Sequence, residues 1–344
     1  MQTSLNAWPM VARRCSQIIR LAPSSSRQIS EKRSKLSQIA RMADPVRRAP
    51  AAETLRWAAD SMATGSVVVG CRRLFGGITS SMHRLSIEQP NGVRQSVVIR
   101  RWVGPNLESA RTSVERESMV LAGLSRSDLP GPRLIAKSLG ERTNGHPAVL
   151  MTRVPGHVHL EPRDPGDWTR QMAVMLSRIH SADIDVDMAP VGQSSVHRDA
   201  PRWSRRPWLW RDALELLQGP APKIRTFIHG DFQHFNVLWA REHLVGVVDW
   251  TEAGRGDPDR DVGHCRLNLA VLYSAQMAER FLLAYESEAG RRVDPWWDVY
   301  ELCVYNESWR SFIPVQVAGR IVVDIDGMHD RVEELLDSAI KRAF

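Results

Sequence analysis

Two kinds of hydrophobic spacing divide this chain. Val67 to Val69, Leu74 to Leu85 and Val97 to Trp102 are rich in branched apolar residues and read as strands. Pro90-Asn91-Gly92 lies between the last two, and Asn-Gly favours the positive φ of a tight hairpin. Leu107, Ala110, Val114, Leu121 and Leu124 recur every three or four residues, which predicts a helix with one buried stripe. Trp168, Met172, Met175, Leu176 and Ile179 predict a second helix, ending near His180. Between them, Val149 to Met151 is a short apolar run that leads into Thr152-Arg153-Val154-Pro155-Gly156, a connector rich in breakers.

Further on, the apolar run Val237 to Ala240, the polar tip Arg241-Glu242-His243 and the apolar run Leu244 to Val248 predict a β-hairpin. In an antiparallel pair the start of one strand lies beside the end of the other. Asn236 and Asp249 should therefore emerge together, as two hard oxygen donors facing one pocket. Asp231 precedes Asn236 by five residues, in the loop His229-Gly230-Asp231-Phe232-Gln233-His234-Phe235-Asn236. Moving a γ-phosphoryl group needs a carboxylate to orient the acceptor hydroxyl and oxygen ligands to hold Mg²⁺ on the phosphates. Asp231 would be the base, with Asn236 and Asp249 the metal ligands.

His229-Gly230-Asp231, Asn236 and Val248-Asp249-Trp250 together resemble the aminoglycoside phosphotransferase family, and the likeness extends over most of the chain. The resemblance implies an α+β, bilobal protein-kinase-like fold: a small N-lobe with an antiparallel sheet and a larger, mainly helical C-lobe. It implies the same roles for Asp231, Asn236 and Asp249, with ATP (or GTP) and Mg²⁺ as cofactors. Gly256-Asp257-Pro258 and Asp261 match the family's element that steadies the catalytic loop. His229 is expected to brace that loop by hydrogen bonding. His180 and the other histidines are expected to be structural, since no pair shows metal-ligand spacing.

The expected lobes span residues 42–150, for nucleotide binding, and 151–344, for catalysis and the acceptor. In the first, Phe75-Gly76-Gly77-Ile78-Thr79-Ser80-Ser81 is a loop of small residues. Gly76, Gly77, Thr79 and Ser80 could approach phosphates through backbone N–H groups, or the loop is simply a turn. Arg100 stands where kinases place a phosphate-binding lysine. Glu117 falls on the buried helical stripe and needs a partner, so an ion pair with Arg100 is expected, unless Glu117 sits at the stripe's margin in water. Arg101 points to the opposite face and is expected to be a solvated charge.

Net charge changes little. The first 41 residues hold eight basic residues and one acid, which accounts for the whole net charge of +7 and leaves the remainder balanced. The overall basicity is therefore no nucleic-acid footprint. That extension is either a targeting segment or upstream sequence before a true start at Met42. Four widely spaced cysteines predict unbridged thiols in a reducing cytoplasm. No apolar run reaches the roughly 20 residues of a membrane span.

The acceptor is less legible. Acids outnumber Lys and Arg from Glu242 onward, which suits a cationic substrate, but Glu333, Glu334 and Asp337 read as the outer face of a terminal helix. Trp296, Trp297 and Trp309 are core or a platform for a sugar or macrolide. No Ala-Pro-Glu segment follows Asp249, which argues against a protein kinase. The expected activity is O-phosphorylation of a small-molecule hydroxyl, on an aminoglycoside-like antibiotic, amino alcohol or sugar. A catalytically silent nucleotide-binding scaffold is the alternative.

Overall fold

The computed structural model describes residues 45–74, 80–189 and 196–344. The basic extension and Gly76, Gly77 and Thr79 of the glycine loop lie outside the described residues. The described chain forms two compact units.

The first unit comprises residues 45–125, without the glycine loop, and 132–153. Helix α1 (Ala52–Asp60) is followed by β1 (Val67–Arg73), β2 (Ser81–Glu88), β3 (Arg94–Arg101), α2 (Leu107–Leu124), β4 (Leu134–Ser138) and β5 (Ala148–Thr152). The strands form one antiparallel sheet in the order β1-β2-β3-β5-β4. Leu85, Ile87, Val97, Ile99, Ala148 and Leu150 face Trp57, Ala58 and Ala59 of α1 in its core. Burying each large aliphatic side chain there stabilises the unit by about 1.5–3 kcal/mol. Gly92, at φ +80°, closes the expected β2–β3 turn.

The second strand begins at Ser81 rather than Leu74. Its inward residues are Ser81, His83, Leu85 and Ile87, so polar groups fill half of the buried face and hide its start. Arg101 is a second correction. It is 3% exposed, donating to the Arg48 carbonyl at 2.7 Å and to Ser81 Oγ at 3.0 Å. Strand β3 is the middle strand and is covered on both faces, so alternation there does not lead to water.

The second unit comprises residues 126–131 and 154–344, as described. Its elements are α3 (Pro165–Ser181), α4 (Pro207–Leu216), β6 (Thr226–Ile228), β7 (Val237–Ala240), β8 (His243–Val247), β9 (Gly254–Gly256), α5 (Pro258–Leu272), α6 (Ala275–Ala289), α7 (Pro295–Val304), α8 (Ser308–Val317) and α9 (Met328–Ala343). Helix α5 is central and packs on α6, α7 and α9. Its buried charges are paired: Arg266 with Asp298 and Glu279, Asp259 with Arg291. Gly263 lets α7 approach, since a Cβ there would lie 2.8 Å from the Trp297 carbonyl oxygen.

One other surface expectation fails in this unit. Glu333 is 2% exposed and accepts hydrogen bonds from Ser204 Oγ, the Arg206 N–H and Trp210 Nε1. Helix α9 buries more than one face because α4 and α5 both pack on it. Trp297 and Trp309 are buried, which makes them core. Cys71, Cys265 and Cys303 are unbridged. No helix among the described residues is long and apolar enough to cross a membrane.

Candidate active site

Strand β6 delivers the chain into a loop whose backbone is held by one buried carboxylate. Asp261, in the first turn of α5, accepts from the N–H groups of His229 (2.7 Å) and Gly230 (2.8 Å) and pairs with His180 Nε2 (3.1 Å). Burial alone would raise its pKa, yet the bond and charge of His180 and the contacts with His229 hold it below the usual carboxylate value. His180 in turn meets the Tyr285 hydroxyl at 2.6 Å. Gly230 has φ +81°, and a Cβ there would fall 2.4 Å from the Glu252 carbonyl oxygen. Only glycine fits this close approach.

His229 is fully enclosed. Its Nε2 donates to the Val248 carbonyl at 3.1 Å and its Nδ1 accepts the Asp231 N–H at 3.3 Å, a pattern that requires the neutral ring. Burial lowers its pKa and outweighs the nearby carboxylates, consistent with that tautomer. The residue thus ties the loop to the end of the hairpin.

The hairpin has a two-residue tip, Arg241-Glu242, with both residues at positive φ. His243 therefore belongs to β8 rather than to the turn. Val237 pairs with Val247, and the Val248 N–H donates to the Asn236 carbonyl at 2.9 Å. Asn236 and Asp249 leave the hairpin side by side. Asp249 adopts a left-handed conformation, φ 66° and ψ 61°, and its Oδ1 accepts from Thr251 Oγ1 at 2.7 Å. Aspartate tolerates that region better than most residues, at a cost accepted where a side chain must be aimed.

Asp231 lies beside this pair. Asn236 Nδ2 donates to both the backbone oxygen (2.8 Å) and Oδ2 (2.9 Å) of Asp231. Its amide oxygen takes no part in either bond. Gln233 Nε2 donates to Asp231 Oδ1 at 2.6 Å, and His264 Nε2 lies 2.9 Å from the same oxygen. An ionised carboxylate has about four lone-pair sites. Three are engaged, so Oδ2 keeps one for a hydroxyl.

Among the described residues no three His, Cys, Asp or Glu side chains gather as a metal cluster. The oxygens of Asn236 and Asp249 nevertheless fit Mg²⁺, which takes one or two protein ligands and completes its shell with phosphates and water.

The sequence reading did not single out His264. Its Nδ1 lies 3.1 Å from Glu301 Oε2 on α7, so the ring bridges two carboxylates. Burial would favour the neutral form, but the hydrogen bonds and charges of Asp231 and Glu301 push its pKa up to about 10. Helical spacing offered a clue: three residues after Asp261, the position shares a face with a residue already assigned to this loop. Glu252 is a second addition. Burial, then the charge of Asp231, raises its pKa to about 7.

In the first unit, Arg100 Nη1 and Glu117 Oε1 lie 3.0 Å apart, with both side chains at most 4% exposed. Arg100 Nε donates to Ser80 Oγ at 2.8 Å, and its guanidinium carbon lies 5.1 Å from the Trp102 ring centroid. The geometry brings Ser80, Arg100 and Glu117 into one cluster, with the planar cation fixed in orientation.

The chain belongs to the phosphotransferase enzyme family whose model matches residues 88–296. That class fits an antiparallel sheet unit and a helical unit carrying the Asp231 loop. Its fold is that of the aminoglycoside phosphotransferases. A candidate aminoglycoside phosphotransferase from Ralstonia eutropha JMP134 is 18% identical, with a TM-score of 0.54 over 84% of this chain and 95% of its own. A thermostable mutant of aminoglycoside phosphotransferase APH(4)-Ia, solved with AMP-PNP and hygromycin B, is 17% identical, with a TM-score of 0.53 over 84% of this chain and 98% of its own. LicA, solved with AMP, is 14% identical, with a TM-score of 0.50 over 83% of this chain and 97% of its own. At these identities the likeness is one of fold. No curated protein sequence matches the chain.

Proposed function

We propose that the protein transfers a phosphoryl group from ATP to a hydroxyl of a small molecule. The observation that carries this reading is the triple hold on Asp231 by Asn236, Gln233 and His264, beside the paired Asn236 and Asp249. An oriented carboxylate with one free lone pair is what alcohol activation needs. Nucleotide use is supported by the AMP-PNP and AMP bound to the two fold relatives. Hygromycin B, bound to one of them, supports a polyhydroxylated acceptor.

In this reading the acceptor hydroxyl donates to Asp231 Oδ2, which orients it and takes its proton as the oxygen attacks phosphorus. Asp261 and His229 keep the loop fixed, so Asp231 does not reorganise during the step. Arg100, held by Glu117 and Ser80, meets phosphate oxygens as a planar donor. Asn236 and Asp249 would hold Mg²⁺, which, when bound, neutralises charge on the phosphates. Gly76, Gly77, Thr79 and Ser80 are proposed to bind phosphate through backbone N–H groups.

The test is ADP release from Mg-ATP against a panel of aminoglycosides, macrolides, amino alcohols and sugars, with Asp231→Asn as control. Acceptor-dependent turnover in the parent, reduced at least ~10²-fold in the control, is expected. Nucleotide binding with no turnover on any acceptor would favour a silent nucleotide-binding scaffold.

A further inference from the structure

The His264 ring lies between two carboxylates supplied by different elements. Nε2 faces Asp231 Oδ1 in the catalytic loop at 2.9 Å, and Nδ1 faces Glu301 Oε2 on α7 at 3.1 Å. Ionised carboxylates only accept hydrogen bonds, so a ring bonded to both must donate from both nitrogens. One competing contact exists: Asn268 Nδ2 lies 3.1 Å from Nε2 while also donating to the His264 carbonyl at 3.0 Å. A neutral ring protonated on Nδ1 would accept from Asn268 and forfeit its bond to Asp231, and one protonated on Nε2 would forfeit its bond to Glu301.

The surroundings favour the donor form. Glu301 is 5% exposed, and Arg260 Nε lies 3.5 Å from its other oxygen, which holds that carboxylate in orientation. The close α5–α7 contact at Gly263 brings Glu301 within reach of the residue next to that glycine. The charged and titratable groups around the ring are Asp231, Glu252, Glu301, Arg260 and His234. His234 is fully buried, with its pKa lowered to about 3 by burial and by the charges of Arg320 and His264, so it adds no competing positive charge near neutral pH.

We infer that His264, held by Glu301, is a positioning residue for the phosphotransfer base: as an imidazolium it fixes Asp231 Oδ1 and so presents Oδ2 to the acceptor hydroxyl. This rests on the proposed role of Asp231 as base. The bond is charge-assisted and therefore short and directional. Without it, Gln233 would be the one remaining donor on Oδ1, opposite the Asn236 bond to Oδ2.

Two measurements on the full chain test the inference. The first uses ¹⁵N-histidine labelling, with His264→Gln to assign the resonance. A His264 ring protonated on both nitrogens at pH 8, and shifted by Asp231→Asn and by Glu301→Gln, is the expected result. A neutral ring at pH 8 would overturn the proposal, and this arm needs no acceptor.

The second measurement uses whichever panel acceptor supports turnover. His264→Ala should lower kcat roughly ten- to hundred-fold, less than the ~10²–10⁴ contributed by a proton-transfer group. KM for ATP should change less than about twofold. His264→Gln, which keeps a donor toward Asp231, should recover part of the loss. An unchanged kcat in His264→Ala, with Asp231→Asn inactive, sinks the inference and leaves the base intact. Full activity in Asp231→Asn would instead remove the base itself.

Discussion

Glu117, near the middle of helix α2, holds Arg100 of the central strand at 3.0 Å in a region almost closed to water. Removing one member of a buried pair leaves an uncompensated charge, which is costly even where the intact pair adds little net stability. Glu117→Ala should therefore destabilise the protein by about 3 kcal/mol, because Ser80 and Trp102 offer only partial compensation. Urea denaturation reads this directly, and ATP affinity should fall as the guanidinium loses its orientation. A change below about 1 kcal/mol, within the range of an exposed pair, would show that water reaches the site.

The loop carrying Asp231 depends on both oxygens of Asp261, and substitution by asparagine removes one of those acceptors together with the charge. An asparagine side chain has one accepting oxygen where Asp261 uses two for the His229 and Gly230 N–H groups. Asp261→Asn should strand one buried N–H and cost about 1–3 kcal/mol. The kcat should drop with KM for ATP little changed. Equal stability of variant and parent in denaturant would mean the loop is held by other contacts.

Gly230 and Gly92 have nearly the same φ, +81° and +80°, but different surroundings. A Cβ on Gly92 meets nothing within 4 Å, whereas on Gly230 it meets the Glu252 carbonyl at 2.4 Å. Gly92→Ala should cost about 1–2 kcal/mol from the backbone conformation alone. Gly230→Ala adds a clash against backbone, so it should lower the melting temperature further and abolish turnover. Similar losses in the two variants would show that the loop can shift.

The residues legible in the sequence were those whose signal is short-ranged. Asn236 and Asp249 are brought together by a hairpin, and strand pairing follows from 12 intervening residues of simple pattern. Arg100 and Glu117 emerged because a carboxylate interrupted a helical stripe. What escaped was set by packing between distant elements. His264 meets partners 33 and 37 residues away, and an isolated histidine in a helix carries no periodic signature. Arg101 and Glu333 looked solvated because alternation marks opposite faces without telling which are covered. Strand β4, at the sheet edge with four of its five residues incompletely buried, lacks the apolar run that marked β5.

Asp249 and Asn236 make a prediction that needs no acceptor. If they hold Mg²⁺, the metal should add to the thermal stabilisation given by ATP in the parent and add nothing in Asp249→Ala. A ligand at 100 times its Kd contributes about 2.7 kcal/mol, so a metal-dependent change in nucleotide affinity is readily seen as a shift in Tm. The same metal increment in parent and variant would place the cation elsewhere.

Glu252 and His264 predict how stability follows pH. The Glu252 carboxyl ordinarily titrates at 4.5 but is raised to about 7 in the folded protein, chiefly by burial and then by Asp231. Between those values the folded chain holds a proton that the unfolded chain has released, so stability declines as pH rises from about 4.5 to 7. His264 acts with the same sign in a higher window. Burial opposes its charge, but the bonds to Asp231 and Glu301 raise its pKa from 6.5 to about 10. Its contribution is complete below 6.5 and is lost as pH climbs through 10. Denaturation free energies across about pH 4.5–10 should therefore fall in two stages, with Glu252→Gln flattening the lower stage and His264→Gln the upper. Asp261, whose pKa is lowered, has the opposite sign and weakens the fold only on acidification below its ordinary 3.8. An upper stage that survives in His264→Gln would assign the uptake of that proton to another group and remove the charged bridge between Asp231 and Glu301.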